Sequence, residues 1–131
     1  MKFIKAEAAG NSYIYVFDYE ENIKNQNELA KKVSCVKFGI GADGLVILSR
    51  SKNADFKMRM FNSDGSEGKM CGNALRCAAM LKKEFCGLDY FRVETASGVK
   101  QAFVKSYDKE KRCGFVSANI GVADYFFVEK S

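Results

Sequence analysis

The sequence contains no histidine, no proline and no tryptophan. Without histidine, the side chain that most often transfers protons near neutral pH is missing, and neither a Ser-His-Asp nor a Cys-His arrangement can form within the chain. Proton-transfer chemistry would therefore depend on cysteine, a carboxylate or a lysine with a shifted pKa. No apolar run reaches the ~20 residues of a membrane helix, and the N-terminal segment is too polar for a signal peptide. These absences favour a cytoplasmic protein without a membrane segment.

The cysteine and charge patterns exclude further classes of site. The five cysteines form no CxxC pair, and the spacing from Cys71 to Cys77 does not match the usual zinc sites. An odd count without a secretory signal is typical of reduced thiols. The net charge of +5 comes from scattered basic residues, whereas a nucleic-acid surface clusters them on one face. We therefore predict no metal, no nucleic-acid partner and no membrane partner.

Hydrophobic patterning predicts one α+β unit over residues 1–131, with two helices among seven or eight strands. A helix is expected over 26–37, with Asn25 and Glu28 forming a capping box. A second helix is expected over 72–86, ended by Gly87, with its buried face running as far as Phe85. Strands are expected over 3–8, 13–17, 45–48, 56–61, 91–94, 99–106, 113–119 and 125–128.

Two short motifs favour ordinary turns over binding sites. Residues 39–44 match the letters GxGxxG, but a helix is predicted before them and a strand after them, the reverse of a nucleotide-binding fingerprint. Residues 64–67 read Asp-Gly-Ser-Glu and lack the alternating oxygen ligands of a calcium loop. We predict a glycine-rich turn at the first motif and a tight turn at the second.

The segment over residues 61–77 places a cysteine at the start of a helix. It reads FNSDGSEGKMCGNALRC, a strand and a turn followed by a helix that begins beside Cys71. Free N–H groups and the positive end of the helix dipole stabilise a thiolate there, and the same groups bind carboxylates. A cysteine is more often a small buried residue, and Cys77 and Cys86 fit that packing role better than Cys71.

The same segment resembles the signature of the diaminopimelate epimerase family, which is close to FN-[AS]-DGSE-x-x-x-CGN-x-x-RC. Residues 10–11, 39–45 and 93–98 resemble the GN, GxGxDxL and V-x-T-x-x-G elements of that family. The resemblance extends from the N-terminus over most of the chain. Residues 8–13 depart from the usual GxGNDF-like run, chiefly by lacking the aspartate, and Ala74 replaces a common glycine.

The resemblance implies a fold of two lobes, each a mostly antiparallel sheet wrapped around a central helix, with the active site in the cleft between them. It implies an epimerase that interconverts LL- and meso-diaminopimelate for lysine and peptidoglycan synthesis. It further implies that two cysteines exchange protons with the α-carbon, one on each face, with no pyridoxal phosphate or other cofactor. Matched residue by residue, Cys71 is the catalytic cysteine of the first lobe. Asn11, Asn62, Gly72 and Asn73 match positions that contact the small amino-acid substrate.

The family's second catalytic cysteine belongs to its second lobe. The chain is therefore expected to be an N-terminal lobe, with the second lobe absent, and to be inactive alone. Cys113, the nearest candidate for a second cysteine, lies on a predicted strand and not at the start of a helix. Gly44 stands where some members have a glutamine contact, which a glycine cannot supply. An exposed cleft face would favour self-association into a homo-oligomer.

Two alternatives stay open. The chain could belong to another racemase of the same fold that works without pyridoxal phosphate on proline-type or histidine-type substrates. The DGSE run before Cys71 favours the diaminopimelate branch. The chain could also be a non-catalytic fragment that binds a ligand or partner.

Overall fold

The computed structural model describes residues 3–8, 10–35, 42–68, 71–119 and 124–130, with side chains as far as Ala118. Within these ranges the chain is an α+β unit of two helices and nine strands. The helices are α1 (Gln26–Ser34) and α2 (Gly72–Cys86). The strands are β1 (Phe3–Ala8), β2 (Asn11–Phe17), β3 (Gly44–Ser49), β4 (Phe56–Asn62), β5 (Glu67–Gly68), β6 (Tyr90–Thr95), β7 (Gly98–Asp108), β8 (Cys113–Asn119) and β9 (Asp124–Lys130).

The strands form a sheet that closes on itself. Their order is β3-β2-β1-β9-β8-β7-β6-β4-β5, and β3 also pairs with β4, which completes a ring of eight strands. Pairing is parallel between β2 and β3 and between β4 and β6. The other pairs are antiparallel. The two residues of β5 pair with β4 and extend outside the ring.

Helix α2 fills the interior of the ring. Each residue from 74 to 81 is at most 1% exposed, so this stretch is buried around its whole circumference. Ala78 and Ala79 are small enough for the strands to pass close to the helix. Gly87 ends α2 in the left-handed conformation (φ 77°), and its N–H donates to the Lys83 carbonyl at 2.8 Å. The predicted bounds of this helix and its end at Gly87 are confirmed.

A second apolar layer covers one side of the ring from outside. Successive strand residues point to opposite faces, so Tyr13 and Tyr15 of β2 face α2 while Ile14 and Val16 face outward. The outward residues pack with Ala30 of α1. Because β3 lies between α1 and α2, all six of its residues are buried. Neither described helix has the length and apolar content to cross a membrane.

Helix α1 differs in part from its prediction. It ends at Ser34, and Cys35 is already extended; residues 36 and 37 lie outside the described ranges. Asn25 is the N-cap residue, but its side chain makes no capping hydrogen bond. Glu28 instead lies 3.8 Å from the Lys31 ammonium group. The predicted capping box was therefore wrong.

The last turn of α2 also corrects the prediction. Phe85 was expected on the buried face but is 57% exposed, because this turn reaches solvent. Its ring packs edge-on against Phe17, with centroids 4.8 Å apart. Cys86 is exposed as well, so the packing role expected for it was wrong, whereas Cys77 is fully buried in the core as expected.

Candidate active site

The residues that the sequence indicates collect at one rim of the ring. Strand β2 begins at Asn11, β3 begins at Gly44, and Gly44 pairs with Asn62 at the end of β4. Because Tyr13 pairs with Gly44, these three strand ends lie side by side. Helix α2 begins at the same rim, since the Tyr13 hydroxyl lies 3.5 Å from the sulfur of Cys71.

Cys71 is the N-cap residue of α2. Its backbone is extended (φ −128°, ψ 125°), and its carbonyl accepts the N–H of Leu75 at 3.0 Å. Gly72 and Asn73 form the first turn, where the N–H groups have no acceptor within the helix. The side chain of Cys71 is half-buried against the core around α2. The sulfur thus lies at the positive end of a buried helix.

Tyr13 is a polar neighbour of this sulfur. Its hydroxyl donates to Cys71 Sγ, and the residue is only 7% exposed. Burial, and then the hydrogen bond to Cys71, raise the pKa of Tyr13 well above its ordinary value, so the hydroxyl stays a proton donor. The sequence reasoning missed this residue. The signal was available, because a tyrosine at position 13 differs from the phenylalanine of the GxGNDF-like run only by its hydroxyl.

A hydrogen bond from Tyr15 ties β2 to the start of α2, and Gly44 makes room for the Tyr13 ring. Tyr15, on the same face of β2 as Tyr13, donates from its hydroxyl to the Ala74 carbonyl at 2.9 Å. At Gly44, an added Cβ would lie 2.3 Å from the Phe61 carbonyl oxygen and 3.3 Å from Cε1 of Tyr13. The missing side chain at position 44 therefore leaves room for the Tyr13 ring.

The two asparagines closest to Cys71 in sequence differ in how they are held. Asn73 is half-buried, and its Oδ1 atom is buried and accepts no hydrogen bond within the described part of the chain. A buried amide oxygen requires a donor, so this atom is suited to a ligand N–H. Asn62 is exposed, and its Nδ2 donates to Ser66 Oγ at 3.0 Å.

Asn11 is half-buried at the first position of β2. The next residue, Ser12, makes two hydrogen bonds with Asp43, which directly precedes β3. The Ser12 N–H donates to Asp43 Oδ2 at 2.9 Å, and the Asp43 N–H donates to the Ser12 carbonyl at 2.8 Å. This pair of bonds fixes the backbone that carries Asn11 at the rim.

Strands β4 and β5 form a hairpin that precedes Cys71 in the sequence and is held by several hydrogen bonds. The Asn62 N–H donates to the Ser66 carbonyl at 2.8 Å, and Gly65 takes a positive φ of 92°, so the predicted tight turn is confirmed. Arg59 donates two hydrogen bonds to Glu67, of 2.9 and 2.8 Å.

Within the described residues, no group of three His, Cys, Asp or Glu is placed to hold a metal ion. Residues 39–41 of the predicted turn over 39–44 lie outside the described residues.

Comparisons with known sequences point to one family. The family model described as diaminopimelate epimerase matches residues 3–125. The diaminopimelate epimerase of Acetivibrio thermocellus is 53% identical over 102 residues, which are 76% of this chain and 36% of that protein. The enzyme of that name from Methanococcus maripaludis strain C5 is 51% identical over 102 residues, 76% of this chain and 37% of that protein. The chain spans about a third of the length of these curated relatives.

Solved structures share the fold at low sequence identity. A Bacillus anthracis phenazine biosynthesis protein of the PhzF family aligns with a TM-score of 0.68 at 20% identity, over 90% of this chain and 40% of that chain. A probable proline racemase from Agrobacterium radiobacter K84 aligns with a TM-score of 0.60 at 16% identity, over 88% of this chain and 40% of that chain. Likeness at these identities shows the fold alone.

Proposed function

This chain belongs to the diaminopimelate epimerase family, and from that premise we propose that it is the first lobe of an enzyme interconverting LL- and meso-diaminopimelate. The observation that carries the proposal is the half-buried sulfur of Cys71 at the amino end of α2. We place the enzyme in the cytoplasm, on the route to lysine and peptidoglycan. It works without a cofactor.

Inversion of an α-carbon needs a proton removed from one face and a proton delivered to the other. As a thiolate, Cys71 takes the α-hydrogen: the C–H bond breaks, an S–H bond forms, and the electron pair passes towards the carboxylate. In the opposite direction the Cys71 thiol returns a proton to the carbon. A cysteine of the second lobe performs the complementary step at the other face.

The first turn of α2 is suited to hold the reacting amino-acid centre. The N–H groups of Gly72 and Asn73 stabilise the carboxylate as charge flows into it. The Asn73 Oδ1 atom, which accepts no hydrogen bond within the described residues, accepts from the substrate ammonium group. Asn11 and Asn62 bind further polar atoms of the substrate at the rim. Closure of the two lobes excludes water and strengthens these contacts.

The chain alone lacks a second acid or base of the same kind. Among the cysteines in the described residues, only Cys71 stands at the start of a helix. Cys77 is buried inside the ring, and Cys113 is the first residue of β8. We therefore propose that residues 1–131 do not epimerise diaminopimelate without a second lobe.

The test joins residues 1–119 of this chain to the rest of the Acetivibrio thermocellus relative and measures epimerisation of diaminopimelate. We expect turnover from this chimera. Cys71→Ala should lower it at least ~10²-fold, as expected for loss of an acid–base group, and Cys71→Ser should also be severely impaired. Cys86→Ala, at the exposed far end of α2, is the matched control and should keep the parent rate. A folded Cys71→Ala chimera that epimerises at the parent rate would contradict the assignment.

Two other functions are decided by the same chimera. The second candidate is another racemase of the same fold that works without pyridoxal phosphate on proline-type or histidine-type substrates. Assays with diaminopimelate, proline and histidine side by side separate the two, because we expect turnover of diaminopimelate only. A folded chimera that binds diaminopimelate but turns over none of the three would favour a non-catalytic binding fragment.

A further inference from the structure

We propose that the Tyr13 hydroxyl holds Cys71 as a thiolate, which makes Tyr13 a positioning residue for proton transfer. This inference rests on the proposed role of Cys71. The hydroxyl donates to Cys71 Sγ across 3.5 Å, a normal length for a hydrogen bond to sulfur. A hydrogen bond to a charged acceptor is stronger than one to a neutral acceptor. The contact therefore stabilises the thiolate more than the thiol.

The fold fixes the hydroxyl in place. Tyr13 projects from the inner face of β2 into the core around α2 and is 7% exposed. Its ring edge lies against Gly44, where even a methyl group would be 3.3 Å from Cε1. Two hydrogen bonds between Ser12 and Asp43 hold the adjoining backbone. Because the Tyr13 hydroxyl is already held beside the sulfur, it does not have to reorient each time Cys71 loses its proton.

Burial and the neighbouring titratable groups keep Tyr13 a proton donor. The titratable groups that act on it are Cys71 and Cys77 of α2 and Asp43 before β3, and each of them raises the pKa of the phenol. Burial acts in the same direction and is the largest cause. The phenol therefore stays protonated over the pH range in which a thiol ionises. A phenylalanine at this position would fill the same space but leave the sulfur without this donor.

Tyr15 is a matched control within the same strand. It lies on the same face of β2, is fully buried, and donates to the backbone carbonyl of Ala74 in the first turn of α2. Tyr15→Phe removes a buried hydroxyl that anchors the helix, but the donor to Cys71 stays. A general loosening of α2 should appear in both variants, whereas loss of the donor to sulfur should appear only in Tyr13→Phe.

The experiment measures the rate of iodoacetamide alkylation of Cys71 in the 131-residue chain as a function of pH, with each cysteine read separately by peptide mass spectrometry. In Tyr13→Phe we expect Cys71 to react about tenfold more slowly at neutral pH, because the sulfur loses its hydrogen-bond donor. The profile of exposed Cys86 should not move. In Tyr15→Phe the Cys71 profile should match the wild type.

A Tyr13→Phe profile that coincides with the wild type would overturn the inference, as would an equal shift in Tyr15→Phe. Because alkylation needs no turnover, this result is independent of the epimerase test. If the profile shifts while a Cys71→Ala chimera still epimerises, the contact stands and the proposed function fails. In the active chimera, Tyr13→Phe should lower turnover more at low pH than at high pH, which a purely structural role would not produce.

Discussion

Replacement of Gly44 by alanine should destabilise the chain through one steric contact. The new Cβ would lie 2.3 Å from the Phe61 carbonyl oxygen, so β3 and β4 must separate by about 1 Å to restore an ordinary carbon–oxygen contact. Overpacking of this kind costs ~1–3 kcal/mol. We expect the upper end of that range, because the obstacle is backbone and β4 is also paired with β6. At this chain length the loss lowers Tm by roughly 10 °C.

The assay compares the urea unfolding midpoints of Gly44→Ala and Gly87→Ala, with Gly87→Ala as the control. Gly87 has nothing within 4 Å of an added Cβ, but its φ is +77°, so that change imposes only a left-handed alanine, about 1 kcal/mol. Gly44→Ala should therefore have the lower urea midpoint. Equal or greater stability of Gly44→Ala relative to Gly87→Ala would refute the steric argument. Gly44→Ala should also displace the Tyr13 ring and move the Cys71 alkylation profile upward.

Two further outcomes are expected. Glu84 accepts two hydrogen bonds from Arg112, at 2.8 and 2.9 Å, and one from the Tyr107 hydroxyl. The hydrogen bonds from Arg112 are the main reason that the pKa of Glu84 lies below its ordinary value of 4.5. This stabilisation is present above that pH and is lost as the pH falls through the lowered pKa. Glu84→Gln should thus lower the urea midpoint at neutral pH and flatten its decline in acid; parallel midpoint–pH curves would contradict this. In heavy water, residues 1–131 alone should place no deuterium at the α-carbon of diaminopimelate. Incorporation detected by NMR would show that these residues suffice for proton exchange.

Local signals in the sequence predict much of the fold. Gly87 marks the end of α2 because a left-handed residue favours glycine, and the alternation over 56–61 marks β4 because one face of that strand is more buried than the other. The elements that were missed have little local signal. β5 has only two residues, and its pairing with β4 depends on the turn between them.

The closure of the ring cannot be read from local patterns. It depends on β4 pairing with β3 and also with β6, which follows only after the whole of α2. Phe85 was placed on the buried face by its spacing, but helical spacing does not show where a helix leaves the core. The capping box at Asn25 failed for a similar reason, since residue types permit a side-chain bond without requiring it.

The candidate site was predicted in part. The motif indicates Cys71 at a helix start, and the structure places it there. The contributions of Tyr13 and Gly44 require the register of β2 and β3, which pairs them across adjacent strands. Their roles therefore follow from contacts between segments far apart in sequence, which no single window of the chain contains.

The most direct test of a reactive thiolate at the rim compares two cysteines in the unmodified chain. Cys71 is half-buried and Cys86 is exposed, so exposure alone predicts faster iodoacetamide alkylation of Cys86 at neutral pH. The amino end of α2 and the Tyr13 hydroxyl both favour a thiolate at Cys71, and the thiolate is the reactive form. We expect Cys71 to react faster despite its burial. Alkylation of Cys86 at an equal or greater rate would contradict the proposed role of Cys71.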